Sequence, residues 1–305
     1  MAYQMWMIRV LVLAVVLCGG VPWGAVCAPA ANPIDAASMQ AIAKSIGWGV
    51  KSSDPCTWAG VSCNQVGRIT SIVASHAGLR GYLDGGDLSK LTFLSKLDLS
   101  FNGLSGSLPV LPTPLQFLRT IDLGSNSFNR LPDGFYAGLP ALETIVLDNN
   151  RLRFAWSEQS DIPSSRLRSF SANNVSMYAG FPNFFGNATL FPALERLSLA
   201  RNQIWGTVHT GFGVNSKISY LDIGGQTGNA DDRMNGRLDV FIVGMLNLVE
   251  AHLDHYGFSG PLPDASHLVN LRVFDASYND LCGSPKFPIG TVVDLTGNPR
   301  VGRGC

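Results

Sequence analysis

The heptapeptide Glu-Ala-His-Leu-Asp-His-Tyr at 250–256 holds the densest group of chemistry-bearing side chains in this 305-residue sequence. Alternation along a strand puts His252 and Asp254 on one face, with His255 beside them. An imidazole that titrates near neutrality next to a carboxylate is the raw material of a metal site or of general acid–base chemistry. The same residues read more simply as a solvated binding face with two titratable histidines. The acidic stretch TGNADDRMNG (227–236) lacks the alternating oxygen ligands and closing Glu of a calcium-binding loop, and is expected to be an inserted loop at a binding edge. No GxSxG elbow, phosphate-binding GxxxxGKS/T loop, HExxH pair or set of kinase signatures occurs. The expectation is a protein that is not an enzyme and that needs no metal or cofactor. Asp222 joins the group only if some regular element brings it alongside His252, so the organisation of the chain decides the matter.

That organisation is a repeat. LSKLDLSFNGLSGSLP (94–109), LRTIDLGSNSFNRLP (118–132), LETIVLDNNRL (142–152), LERLSLARNQIWGTV (194–208), LVEAHLDHYGFSGPLP (248–263) and LRVFDASYNDLCGSP (271–285) follow one phrase, LxxLxLxxNxLxGxLP. Weaker copies lie at 69–83, 167–174 and 218–226. The second apolar anchor falls at Ile72, Leu97, Ile121, Ile145, Phe170, Leu197, Leu221, Ala251 and Phe274, in steps of 25, 24, 24, 25, 27, 24, 30 and 23. A period near 24 with this phrase is a leucine-rich repeat. The expected fold is an α/β leucine-rich-repeat solenoid of the plant extracellular type, with about ten repeats and a cysteine-containing N-terminal cap.

Each position has a physical reason. The LxL core gives a short strand with leucines inward and the residues between them outward, and stacking buries the apolar face that no single repeat can bury. Asn102, Asn126, Asn150, Asn202 and Asn279 stand where the chain leaves the strand, where a buried amide bonds backbone groups of the turn. The outward columns then run Val73, Asp98, Asp122, Val146, Ser171, Ser198, Asp222, His252, Asp275, and further out from His76 and Phe101 to His255 and Tyr278. This concave surface suits a protein or peptide partner better than a deep catalytic pocket. Asp222, His252, Asp254, His255 and Tyr278 are its candidate partner-binding residues.

Residues 1–28 read as a signal peptide, with an apolar run from Val10 to Cys18 and cleavage after Ala28 or Ala30. Removing it leaves Cys56, Cys63, Cys282 and Cys305, an even set suited to disulfides in an exported chain. Cys56 and Cys63 close a short loop that stabilises the cap by roughly 2–3 kcal/mol. Cys282 and Cys305 are expected to clasp the C-terminal end. The sequons at Asn174 and Asn187 are candidate glycosylation sites of the same compartment. The expected division is a cap over 32–66, including a helix started by Asp35, and a solenoid over 67–305 whose last repeat, VVDLTGNP, is truncated. With 22 basic and 22 acidic residues and no long run of either, nucleic acid is not an expected partner.

The ordered phrases SDPCTWAGVSC, FSANN, FPALERL, LDIGGQ and FSGPLPD resemble the ectodomain of the transmembrane kinase (TMK) family of plant receptor-like kinases, from about Asn32 onward. That resemblance implies cell-surface perception, with a co-receptor kinase or a small auxin-binding-type protein among the partners. The family's second cysteine-containing block, membrane helix and kinase are not in this sequence. Two forms are then expected: a receptor ectodomain without its signalling half, at the plasma membrane if truncated, or a secreted decoy or co-receptor in the apoplast. The alternative is a secreted inhibitor of cell-wall-degrading enzymes of the polygalacturonase-inhibiting type, whose more uniform repeats fit the 27- and 30-residue steps less well.

Overall fold

In the parallel strands built from the repeat's LxL core the anchor residue turns inward, so the strand's burial follows directly from the phrase. In Thr120–Asp122 the pattern is half-buried Thr120, buried Ile121 and half-buried Asp122, and the strands Thr144–Val146, Ser169–Ser171 and Tyr220–Asp222 repeat it. The computed structural model describes residues 29–50, 52–153, 162, 165–209, 211–227 and 234–305. The signal-peptide reading, and most of the inserted loop, lie outside these residues.

Among the described residues, nine such strands and the five-residue strand Ile69–Val73 stack in parallel as a single sheet, preceded by one antiparallel strand of the cap, Val61–Cys63. The anchors pair in unbroken register: Ile72 with Leu97, Leu97 with Ile121, Ile121 with Ile145, Ile145 with Phe170, and Phe170 with Leu197. Leu197 continues to Leu221, then Ala251, Phe274 and, in the truncated repeat, Val293. The 27- and 30-residue steps therefore leave the sheet intact, and their extra residues are taken up outside it.

On the opposite flank lie, among the described residues, three small parallel sheets, one of them formed by Tyr178–Gly180, Gln203–Thr207 and Met234–Asn235. Their strands come from the LxG part of the phrase. Gly106, Gly206, Gly260 and Gly283 all take φ between 83° and 94° there, a left-handed turn that glycine adopts without steric cost. Short helical turns such as Tyr136–Gly138 and Leu238–Phe241 complete the convex side.

The asparagines form the ladder that holds coil to coil. Asn150 donates to the carbonyls of Leu123 at 3.0 Å and Leu147 at 2.8 Å, while its Oδ1 accepts from Phe128 N–H at 3.0 Å. Asn202 and Asn279 repeat the pattern, and Gln226 replaces asparagine in its coil by donating to Leu199 O and Ile223 O and accepting from Ile204 N–H. Val175 and Tyr256 fill the ladder position in the two remaining coils of the central region. Buried carbonyls left without such partners would each cost about 1–3 kcal/mol.

The cap helix starts two residues earlier than the sequence suggests, spanning Pro33–Ser45 with Asn32 as N-cap. Asp35 has a different task. It is fully buried, accepts from Ile69 N–H at 2.8 Å and pairs with the Arg68 guanidinium at 3.0 Å, which fastens the cap to the first repeat strand. Cys56 and Cys63 are bonded, as are Cys282 and Cys305, and Trp48 packs edge-on against Trp58 at 5.6 Å beside the first bridge.

Candidate concave interface

Because the strands are in register, side chains of like position form straight columns across the concave sheet. Asp98, Asp122, Asp222, Asp275 and Asp294 share the column after the anchor, and each carboxylate accepts the N–H two residues on, from Ser100, Gly124, Gly224, Ser277 and Thr296 respectively. An aspartate here closes the strand end and at the same time presents charge to the open face. Asp148 reaches across to the next coil instead, accepting from Ser171 Oγ at 2.8 Å and Asn173 N–H at 2.8 Å. Among the described residues none of these aspartates forms an ion pair with lysine or arginine.

The five sequence-derived candidates fall into two touching groups on three neighbouring coils. Asp222 is the register partner of His252, which pairs in turn with Asp275. Asp254 bonds His255 Nδ1 at 2.9 Å, and the His255 ring stacks on Tyr278 with centroids 4.4 Å apart. Gly224 links the two groups, because a side-chain carbon at Gly224 would stand 2.1 Å from Asp254 Oδ1; the missing side chain is what lets that carboxylate lie over the Asp222 coil.

Sequence reasoning missed the column before the anchor, which faces outward by the same alternation. Arg196 lies over the Tyr220 ring at 3.8 Å, Tyr220 packs 5.7 Å from His252, and Glu250 Oε2 stands 3.8 Å from His252 Nε2. The strand period of two was the signal that would have found them. Burial chiefly, with the neighbouring Asp254 charge, holds the Asp222 carboxyl above its ordinary value against the Gly224 N–H and His252. Burial and then Asp222 do the same to the Tyr220 hydroxyl. Among the described residues no group of His, Cys, Asp and Glu side chains is arranged to hold a metal ion.

The outermost column has a backbone peculiarity. His76, Phe101, Ser125, Asn149, Asn174, Arg201, His255 and Tyr278 all take φ between 51° and 56°, the left-handed region in which the chain turns off the sheet. This places their side chains in one row along the rim, where His76 stacks on Phe101 at 4.3 Å. Asn174 donates along the row to Asn149 Oδ1 at 3.0 Å. The other sequon asparagine, Asn187, lies on the convex side, exposed, with its Oδ1 accepting from Thr189 N–H.

Residues 35–64 match the leucine rich repeat N-terminal domain model and residues 92–152 match the leucine rich repeat model. The chain is 33% identical over 232 residues to the receptor-like kinase TMK2 of Arabidopsis thaliana, covering 76% of this chain and 26% of that protein. The chain is a leucine-rich-repeat protein and a relative of the TMK receptor-like kinases. TMK4 of the same plant is 31% identical over 254 residues, covering 82% of this chain and 26% of its own length. The leucine-rich-repeat chain thus spans about a quarter of the curated relatives it matches. Among solved structures, the ectodomain of the Arabidopsis receptor kinase HAESA superposes with a TM-score of 0.64 at 22% identity, over 84% of this chain and 47% of that one. A plant ice-binding protein superposes with a TM-score of 0.64 at 20% identity, over 90% and 99%. These two likenesses are likenesses of fold. No helix among the described residues is long and apolar enough to cross a membrane.

Proposed function

We propose that this chain is an extracellular recognition module that binds a protein or peptide partner across its concave face in cell-surface signalling. One observation carries the reading: ten register-locked strands present polar, charged and aromatic columns on one open face. Kinship with TMK2 and TMK4 supports a receptor context. HAESA, which shares the fold, has been solved in complex with a peptide hormone, and also with that hormone and the co-receptor SERK1 together. A co-receptor kinase or an auxin-binding-type protein is the partner class that kinship with the TMK kinases suggests. Localisation follows the same reading, in the apoplast or, as part of a membrane receptor, at the plasma membrane.

Both exposed sequon asparagines are proposed glycan sites, which a peptide-N-glycosidase mass shift on secreted protein would reveal. The test of the function itself is a binding screen of the purified chain against plant ectodomains and secreted peptides. It is run in parallel with a variant carrying Asp222→Asn, His252→Ala, Asp254→Asn and His255→Ala. Asparagine keeps the acceptor oxygen at 222, so folding should persist. A partner lost at least tenfold by the variant, with a melting curve close to that of the unmodified chain, is the expected result; a partner indifferent to the variant overturns the placement.

A further inference from the structure

Two stacked aromatic pairs stand on the same rim, near opposite ends of the concave sheet. His76 and Phe101 stack at 4.3 Å and 11° between planes, and His255 and Tyr278 at 4.4 Å and 22°. Phe101 and Tyr278 remain 54% and 55% exposed, although both are large rings held at strained left-handed φ. Between the pairs the rim is polar, and it borders an open cleft of about 670 Å³ lined in part by Arg201, Gln226, Asp254 and His255.

The face that carries the pairs holds more acidic than basic side chains. The column after the anchor contains Asp98, Asp122, Asp222, Asp275 and Asp294 and no lysine or arginine. Asp148, Asp254 and Glu250 add to it, against Lys96, Arg196 and Arg201 on the whole face. The chain as a whole carries 22 basic and 22 acidic residues, so the acidity belongs to this face and is not a property of the composition. Like charges in neighbouring coils, Asp98 and Asp148 on either side of Asp122, push the Asp122 carboxyl upward in addition to the larger effect of its burial.

Resting on the function proposed above, we propose that the concave face takes an extended cationic peptide segment with an aromatic or large apolar side chain at each end. One end side chain seats on the His76–Phe101 stack and the other on the His255–Tyr278 stack, with lysines or arginines between them over the aspartate column. The spacing follows from the sheet. Six strand steps separate the strand Lys96–Asp98 from the strand Glu250–His252, about 28 Å at roughly 4.7–4.9 Å per step. An extended chain covers that in about eight or nine residues. Cation–aromatic and ring–ring contacts at the ends and carboxylate–ammonium contacts between them are matched to such a segment and to no acidic one.

The probe is a synthetic decapeptide with Tyr at positions 1 and 10 and alternating Lys and Ser between, measured by fluorescence anisotropy on the full purified chain at low salt. Comparison peptides replace Lys by Glu, replace either Tyr by Ala, or bring the two Tyr to five residues apart. The expected result is binding of the first peptide, at least tenfold weaker for each comparison peptide. Affinity should also fall at least tenfold in Asp98→Asn/Asp122→Asn/Asp275→Asn, whose asparagines keep the strand-end acceptor, and in Tyr278→Ser. Equal binding of the acidic or short-spaced peptide, or no effect of the triple variant, overturns the proposal. Should a screened partner depend on the concave substitutions while no cationic peptide binds, this inference fails and the recognition function stands. If the partner ignores those substitutions, the function assignment itself fails.

Discussion

Asp222 shows how one residue serves two ends. It closes its strand by accepting Gly224 N–H at 3.1 Å, and its carboxyl, held up mainly by burial, is more easily protonated in the folded chain than in the unfolded one. For such a group the native state takes up its proton first as pH falls, so stability rises through the native pKa toward the ordinary 3.8 and the charged form is a burden above it. Asp222→Asn keeps the acceptor and removes the charge. The variant should therefore melt higher than the unmodified chain at neutral pH, and the gap should narrow as pH falls through the raised value and stay narrow below 3.8. Melting curves from pH 7 to pH 3 check this; a gap that widens on acidification would show that the Gly224 bond, and not burial, dominates. The sequence disclosed that Asp222 and His252 face the same side, because strand alternation is a strict period of two. It did not disclose the strand-end bond, because an aspartate two residues before a small residue is too common to signal one. The left-handed rim escaped for a related reason: Phe, Arg and Tyr are not residues that mark positive φ, and only the structure shows that Phe101, Arg201 and Tyr278 adopt it.

At the scale of elements, the repeat phrase was nearly a complete description. Every anchor named from spacing finds its neighbour in register, because a slip of one residue would turn each leucine out to water. What escaped was the start of the cap helix and the role of Asp35, since Asn32-Pro33 is as good a helix start as Asp35 and a buried ion pair with Arg68 depends on residues 33 positions apart. The C-terminal element carries its own prediction. Cys282 is fully buried and bonded to Cys305, 23 residues on, and near this bridge the last coil is also held by Leu281 N–H to Asn298 Oδ1, Gly283 N–H to Arg303 O and the Arg300–Asp280 ion pair. Closing a loop of that length contributes roughly 3 kcal/mol on the chain-entropy model. In a solenoid this loss stays local, since each coil contacts only its neighbours. Cys282→Ala/Cys305→Ala should accelerate amide exchange at Leu281, Gly283 and Gly302 by about a hundredfold, consistent with that figure, with little change near Ile121. A uniform loss of protection across all coils would refute the local picture.

The whole molecule combines a formal net charge of zero with an uneven placement of charge, and neither feature follows from the other. Composition alone argues for a chain indifferent to ionic strength. Stacking repeats in register instead sets aspartates about one strand apart along the concave face, and each such neighbour pair repels by about 1 kcal/mol even in water. The ion pairs Arg119–Glu143 and Arg168–Glu195 pull the other way. They are largely exposed, however, and such pairs contribute about 0–1 kcal/mol. The repulsion should win, so that screening stabilises the fold: between about 0.01 and 0.15 M salt the Debye length drops from roughly 30 to 8 Å. The melting temperature should rise over that range by about 2 °C, and the rise should shrink in the Asp98→Asn/Asp122→Asn/Asp275→Asn variant. Thermal scans in sodium chloride test it without any ligand. A melting temperature that falls with salt would mean that the ion pairs outweigh the aspartate column, and would remove the electrostatic ground on which a cationic partner is expected.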